Sequence, residues 1–212
     1  MRTYHGEKAI ISLTSWKARI DTVSKTLFSL IKQCPGFHIV LVLSEEEFPK
    51  KEAELPTSLM AFVNNNLIEL LWVYKNYKSL KKVIPTMKIY NSVPIISADD
   101  DCIYTCNYAE QLYQASLKTP NIPIMYRKSR FPFCLCGPAS LYPPVFFDGL
   151  VKKFDCMDHA IQQDDGFIME FFKELNVQGI AISNKFPCYF HDEINALTGS
   201  RNVPEWQRDQ SF

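Results

Sequence analysis

Short apolar runs alternate with helix-period stripes along this chain, and that alternation narrows its fold more than any other feature. Ala9-Ile10-Ile11-Ser12-Leu13, His38 to Leu43, Ile68 to Val73 and Val93 to Ala98 are each only five or six residues long. They are too short for core helices, and all but the third are rich in β-branched side chains, as buried strands are. Between the first two, Asp21 stands as an N-cap before Val23, Leu27, Leu30 and Ile31, which line one face of a helix that Pro35-Gly36 ends. A short helix is expected over 58–63, and Leu80, Val83, Ile84 and Met87 form another stripe, which Pro85 bends or delays. Strand, helix and strand in regular succession predict an α/β fold, with a mostly parallel central sheet flanked by helices.

Later segments extend the pattern. Asn107 with Glu110 resembles a capping box opening a helix through Leu117, and Ile122 to Tyr126 reads as a further strand. Residues 131–144, rich in Pro, Cys and aromatics, read as an irregular functional segment. Asp164 to Leu175 reads as a helix with Phe167, Ile168, Phe171, Phe172 and Leu175 on one face, followed by a strand from Gly179 to Ser183. A polar tail begins at Ala196.

Composition removes several classes of partner. Among 212 residues, 23 Lys+Arg balance 23 Asp+Glu, so no net positive field draws the chain to nucleic acid. No apolar run reaches the roughly 18 residues of a membrane span. Met1 to Lys8 is polar and lacks a signal-peptide pattern, so the expected location is the cytoplasm unless a partner holds the protein at a membrane. The seven cysteines include no C-x-x-C pair, which argues for buried thiols over a zinc site or a disulfide framework.

The chemistry concentrates at Asp99-Asp100-Asp101, directly after the apolar strand VPIISA. Three adjacent carboxylates repel one another unless positive charge sits among them. A hard divalent cation, Mn²⁺ or Mg²⁺, takes oxygen ligands and leaves positions open for substrate phosphates. Carboxyl ends of strands are also where open α/β sheets bind ligands. The plainer reading is a solvated acidic turn that caps the helix near Asn107; the position after a buried strand favours the metal.

Other candidates surround it. Thr14 and Arg19 follow the first strand, where a hydroxyl can meet a base or ribose and a guanidinium a phosphate. The run from Lys75 to Lys82 offers cations and helix amides to a diphosphate, although Lys75 and Lys82 read more simply as a solvated face. Asp164-Asp165 before Gly166 are either helix caps or a general base. His191, among aromatics, is either structural or a third metal ligand.

In order along the chain, IISLTSWKAR (10–19), SEEEFP (44–49), KSLKK (78–82), DDD (99–101) and QDDG (163–166) together resemble small bacterial glycosyltransferases related to family 2. The resemblance spans about residues 9–192 and implies the GT-A (nucleotide-diphospho-sugar transferase) fold. It implies one domain over 1–212, with a nucleotide-binding half at about 9–105, an acceptor and catalytic half at about 106–195 and the tail at 196–212. It further implies Asp101 as direct metal ligand and Asp99 near ribose or metal, with Asp100 facing the donor sugar. By the same resemblance Thr14 and Arg19 meet the nucleoside, Lys81 lies near the diphosphate and His191 ligates the metal. Asp165 is then the base, with Asp164 as cap. Gly166 departs from the larger residue many members carry. The implied activity is metal-dependent, inverting transfer from a nucleotide-sugar donor, UDP-sugar being the first candidate, to a glycan or lipid-linked acceptor. A sugar-nucleotide pyrophosphorylase would want a Gly-rich basic loop, whereas Ser12 to Arg19 contains no glycine. A haloacid-dehalogenase phosphatase fits poorly with Asp101-Cys102-Ile103. A non-catalytic binding module on the same fold is the remaining alternative.

Overall fold

The computed structural model describes residues 6–33, 35–127, 139–157, 164–185 and 187–191; for Asp164 and Asp165 it describes the backbone only. The strands are β1 (Ala9–Thr14), β2 (Phe37–Ser44), β3 (Glu69–Val73), β4 (Ile95–Ser97), β5 (Cys102–Tyr104), β6 (Ile124–Arg127), β7 (Ser140–Tyr142), β8 (Ile180–Ser183) and β9 (Cys188–Phe190). The helices are α1 (Val23–Ile31), α2 (Thr57–Asn64), α3 (Ile84–Ile89), α4 (Tyr108–Lys118), α5 (Phe147–Asp155) and α6 (Asp164–Glu174). Seven strands form one sheet in the order β3-β2-β1-β4-β7-β6-β8, and β5 pairs with β9 in a small second sheet. Within the large sheet β7 runs against both of its neighbours; every other pairing is parallel. The mostly parallel α/β sheet expected from the alternation is therefore present. No described helix is long and apolar enough to cross a membrane.

Period-two alternation feeds two core layers, one on each sheet face. From β1, Ala9, Ile11 and Leu13 join Val23, Leu27, Leu59 and Leu112 in one layer. Ile10 joins Ile84, Met87, Phe147 and Phe172 in the other. Ser12 is buried too, and its hydroxyl is satisfied by the Thr86 hydroxyl at 2.7 Å. Continuous apolar runs are what a strand covered on both faces requires.

Several local expectations are corrected. Thr22, not Asp21, is the N-cap residue of α1, and its hydroxyl donates to the Arg19 carbonyl at 3.1 Å. The stripe at Leu80 to Met87 is split, a 3-10 turn over Lys78–Lys82 preceding α3, where Pro85 sits in the first turn that tolerates it. Helix α5 has no counterpart in the sequence reading. Its buried Phe147, Leu150 and Phe154 keep helical spacing, and Gly149 among them lets the Phe171 ring approach closely, since a Cβ there would lie 3.0 Å from it. Strands β5, β7 and β9 were also not anticipated, each being three residues whose pairing partner is remote in sequence. β7 falls inside the segment read as irregular, of which 131–138 lie outside the described residues, as does the polar tail. Leu175 ends the α6 stripe in solvent, 49% exposed, whereas Phe167, Ile168, Phe171 and Phe172 are buried as expected.

One arrangement fixes the small sheet beside the large one. The edge of β5 opposite β9 is covered by polar side chains of α1 and the residue just past it. Thr26 Oγ1 donates to the Asp100 carbonyl at 2.9 Å, Ser29 Oγ accepts from the Tyr104 amide at 3.0 Å, and Gln33 Nε2 donates to the Thr105 carbonyl at 2.8 Å. These side chains pair the Tyr104 amide of β5 and the Asp100 and Thr105 carbonyls that flank the strand. Gln33 does more. Asn107 sits at the N-cap of α4 without a side-chain cap bond, and Glu110 turns to Lys8 at 2.7 Å, so the expected capping box does not form. The Ala109 amide in the first turn is taken by Gln33 Oε1 at 3.3 Å. Gln33→Leu keeps the volume and loses these bonds; we expect a loss of about 1–3 kcal/mol in urea unfolding. A variant within error of wild type would mean that solvent replaces the bonds.

Candidate functional site

The site forms where β1 and β4 end side by side. They pair in parallel, Ser12 opposite Ser97, so the loop from Thr14 to Arg19 and the triplet Asp99 to Asp101 leave the same edge of the sheet. β2 contributes Ser44 and the following Glu47, and the 3-10 turn after β3 contributes Lys81 and Lys82. Each carboxylate of the triplet meets a cation of the chain. Lys82 Nζ lies 2.7 Å from Asp99 Oδ1. Arg19 bridges the other two, with Nη1 2.7 Å from Asp100 Oδ1 and Nη2 2.9 Å from Asp101 Oδ2.

The three aspartates are not equivalent. Asp100 is 6% exposed, and its second oxygen accepts from Ser15 Oγ at 2.6 Å. It is turned inward as a brace, not outward toward a donor sugar as the sequence reading had it. Burial raises its pKa against the opposing pull of Arg19. Asp99 is the most open of the three side chains, and its backbone amide donates to Tyr104 Oη at 2.7 Å. Asp101 is pushed up to about 7, first by burial and next by the Asp99 charge, with Arg19 pulling the other way. Its carbonyl accepts from the His191 amide at 2.8 Å.

The remaining candidates sit as follows. Thr14 Oγ1 donates to the Val42 carbonyl at 2.7 Å, which ties β1 to β2 and commits its proton to the protein. Arg19, expected at a phosphate, is 5% exposed and held by Asp100 and Asp101. Lys81, expected near the diphosphate, is 1% exposed and ion-paired to Glu47, whose Oε2 also accepts from Ser44 Oγ at 2.9 Å. Lys82, read as a solvated lysine, is instead the buried partner of Asp99, while Lys75 is exposed as expected. His191 Nε2 lies 3.0 Å from Thr26 Oγ1. Asp164 and Asp165 are the first described residues of α6; their side chains lie outside the description. Gly166, just after them, has open space around a would-be Cβ.

Ser15, Thr26 and Glu47 were given no role beforehand, and Lys82 only that of a solvated lysine. Thr26 carried a signal, as a polar residue between the apolar positions Val23 and Leu27 on the inward side of α1. The others become legible only when the fold brings distant segments together.

Among the described residues, no three His, Cys, Asp or Glu side chains gather as a metal cage. Mn²⁺ and Mg²⁺ at phosphate-binding sites, however, often take one or two carboxylates and complete their shell with water and substrate oxygens. Two cations, Arg19 and Lys82, pair with the three carboxylates of the turn. Burial first and the Asp99 charge next raise the Asp101 pKa, so the two carboxylates feel one another across the turn. The donor set fits such an ion on Asp99 and Asp101.

Sheet order and strand direction give a GT-A fold, with a mostly parallel seven-stranded sheet flanked by helices. The chain is similar to S. aureus TarS 1-349 in complex with UDP, with TM-score 0.61 and 13% identity over 88% of this chain and 61% of that one. It is likewise similar to TarS 1-349 in complex with UDP-GlcNAc, with TM-score 0.60 and 14% identity over 87% of this chain and 58% of that one. This chain thus spans less than two thirds of those TarS chains, and the likeness is one of fold. No protein-family model matches the sequence, and no curated protein matches it.

Proposed function

We propose that this protein is a glycosyltransferase that moves a sugar from a nucleotide-diphosphate donor, UDP-sugar being the first candidate, to a hydroxyl of a glycan or lipid-linked acceptor. The observation that carries the reading is the acidic turn Asp99–Asp101 at the carboxyl end of β4, beside the loop after its parallel neighbour β1. It stands in a fold shared with S. aureus TarS in complex with UDP and UDP-GlcNAc.

In the proposed step the acceptor oxygen forms a bond to the anomeric carbon as the bond from that carbon to the diphosphate oxygen breaks. The acceptor proton passes to Asp165, and the nucleoside diphosphate leaves. One in-line displacement inverts the anomeric centre. A divalent ion, Mn²⁺ or Mg²⁺, held by Asp101 and Asp99 would offset the charge growing on the leaving diphosphate. Asp100 does not touch substrate in this scheme; buried and bonded to Ser15 and Arg19, it holds the turn so that its two neighbours face outward. Lys82 fixes Asp99, and Lys81 with Glu47 joins the loop after β2 to the turn before α3.

The test is titration calorimetry of UDP with and without Mn²⁺ on wild type and Asp101→Ala, together with a transfer and hydrolysis assay on UDP-GlcNAc. We expect Mn²⁺-dependent UDP binding in wild type and its loss in the variant, with the circular dichroism spectrum unchanged. Equal Mn²⁺-dependent affinity in the two proteins would remove Asp101 from the site. Binding without turnover under every acceptor would reassign the chain as a binding module.

A further inference from the structure

We propose that Arg19 is a positioning residue that serves as an internal counter-ion and competes with the divalent cation for Asp101; the inference rests on the reading of Asp101 as a metal ligand. Its guanidinium spans two adjacent carboxylates, through Nη1 to Asp100 Oδ1 at 2.7 Å and through Nη2 to Asp101 Oδ2 at 2.9 Å. The two ends of this fork differ in their anchorage. Asp100 is buried and has its other oxygen on Ser15 at 2.6 Å, so the Nη1 end is fixed by a partner that has no alternative. Asp101 is more open, and Nη2 occupies an oxygen that a metal would coordinate.

A guanidinium and a divalent ion on one carboxylate oxygen repel each other at close range, in a setting that water screens poorly. A metal on either oxygen of Asp101 meets the guanidinium at close range, so its entry is eased when Nη2 gives up Asp101 while Nη1 keeps Asp100. The cost of that exchange keeps metal affinity low in the empty site. The diphosphate, which brings its own negative charge, offsets the guanidinium, so metal and nucleotide enter together. Lys82 on Asp99 adds to the same effect from the other side of the turn.

The experiment is Mn²⁺ binding without nucleotide, followed by the electron paramagnetic resonance signal of free Mn²⁺, on wild type, Arg19→Gln and Arg19→Lys. Removing the charge is expected to tighten Mn²⁺ binding by about tenfold or more. Lysine keeps the charge but offers one ammonium in place of a two-ended fork, so Arg19→Lys should fall between the other two. A purely structural role gives the opposite sign, because carboxylates released from their brace bind metal less well. Should Arg19→Gln fail to fold, Arg19→Lys carries the comparison alone. Unchanged or weaker Mn²⁺ binding in folded variants, with wild type binding the ion, overturns the role of Arg19 and leaves the metal reading standing. No Mn²⁺ binding by either variant overturns the role of Arg19, and the metal reading is then decided separately by the Mn²⁺-dependent UDP titration.

Discussion

Asp165→Asn is expected to lose sugar transfer by about 10²–10⁴-fold while donor binding persists, since that is the usual scale of a positioned general base. An amide keeps the carboxylate's shape and cannot take the acceptor proton. The argument for this residue joins sequence to backbone. Asp164 and Asp165 occupy the first turn of α6, whose buried Phe167, Ile168, Phe171 and Phe172 anchor it to the second core layer. Amides at a helix start favour the ionised form of a carboxylate that accepts them, which makes a capping aspartate a weak base. The proposal assigns the base to the second acidic position, as the sequence resemblance implies, and leaves the capping role to Asp164. The measurement is kcat for transfer beside Kd for UDP in Asp165→Asn and Asp164→Asn. Loss confined to Asp164→Asn would exchange the two roles, and near wild-type transfer by both would remove this acid–base mechanism.

The sheet was legible because its first strands are buried on both faces, which gives unbroken apolar runs such as Ala9 to Leu13 and His38 to Leu43 that no amphipathic helix imitates. The acidic triplet was legible for the same reason, since it follows directly on a strand of that kind. Three-residue strands carry no period of their own, so Cys102–Tyr104 and Cys188–Phe190 emerge only as a pair across the fold. The roles of the site's cations were hidden by distance. Arg19 and Asp100 are 81 residues apart, Lys81 and Glu47 are 34 apart, and Lys82 and Asp99 are 17 apart. A lysine in a basic run reads as solvated until the fold supplies its carboxylate. Lys81 and Lys82 in succession look like one exposed face, yet each is buried on a different acid. The hidden part of the site is thus the part that neutralises charge, whereas the part that bears excess charge was visible.

Glu47→Ala tests that buried neutralisation through stability. Lys81 is 1% exposed and paired with Glu47, so removing the acid leaves an ammonium enclosed without its partner. Breaking a buried pair from one side costs about 3–5 kcal/mol. Urea unfolding at pH 7 should show a loss on that scale, and a loss under about 1 kcal/mol would contradict the pairing. The pH dependence gives a second, independent sign. Burial already lowers the Lys81 pKa from its usual 10.5, and Glu47 is the leading influence holding it up. Without Glu47 the folded-state value falls further, while the unfolded chain keeps the ordinary one. Between the two values the unfolded state binds more protons, so stability rises with pH. The deficit of Glu47→Ala relative to wild type should therefore shrink as pH climbs from neutrality toward the usual lysine value. A deficit that stays constant or grows over that range would mean that the cost comes from lost packing or from the Ser44 hydroxyl, not from the stranded charge. Adding Lys81→Met to Glu47→Ala separates these directly. An apolar side chain in place of the enclosed ammonium should recover much of the loss and abolish its pH dependence, because replacing both partners of a buried pair is often close to neutral.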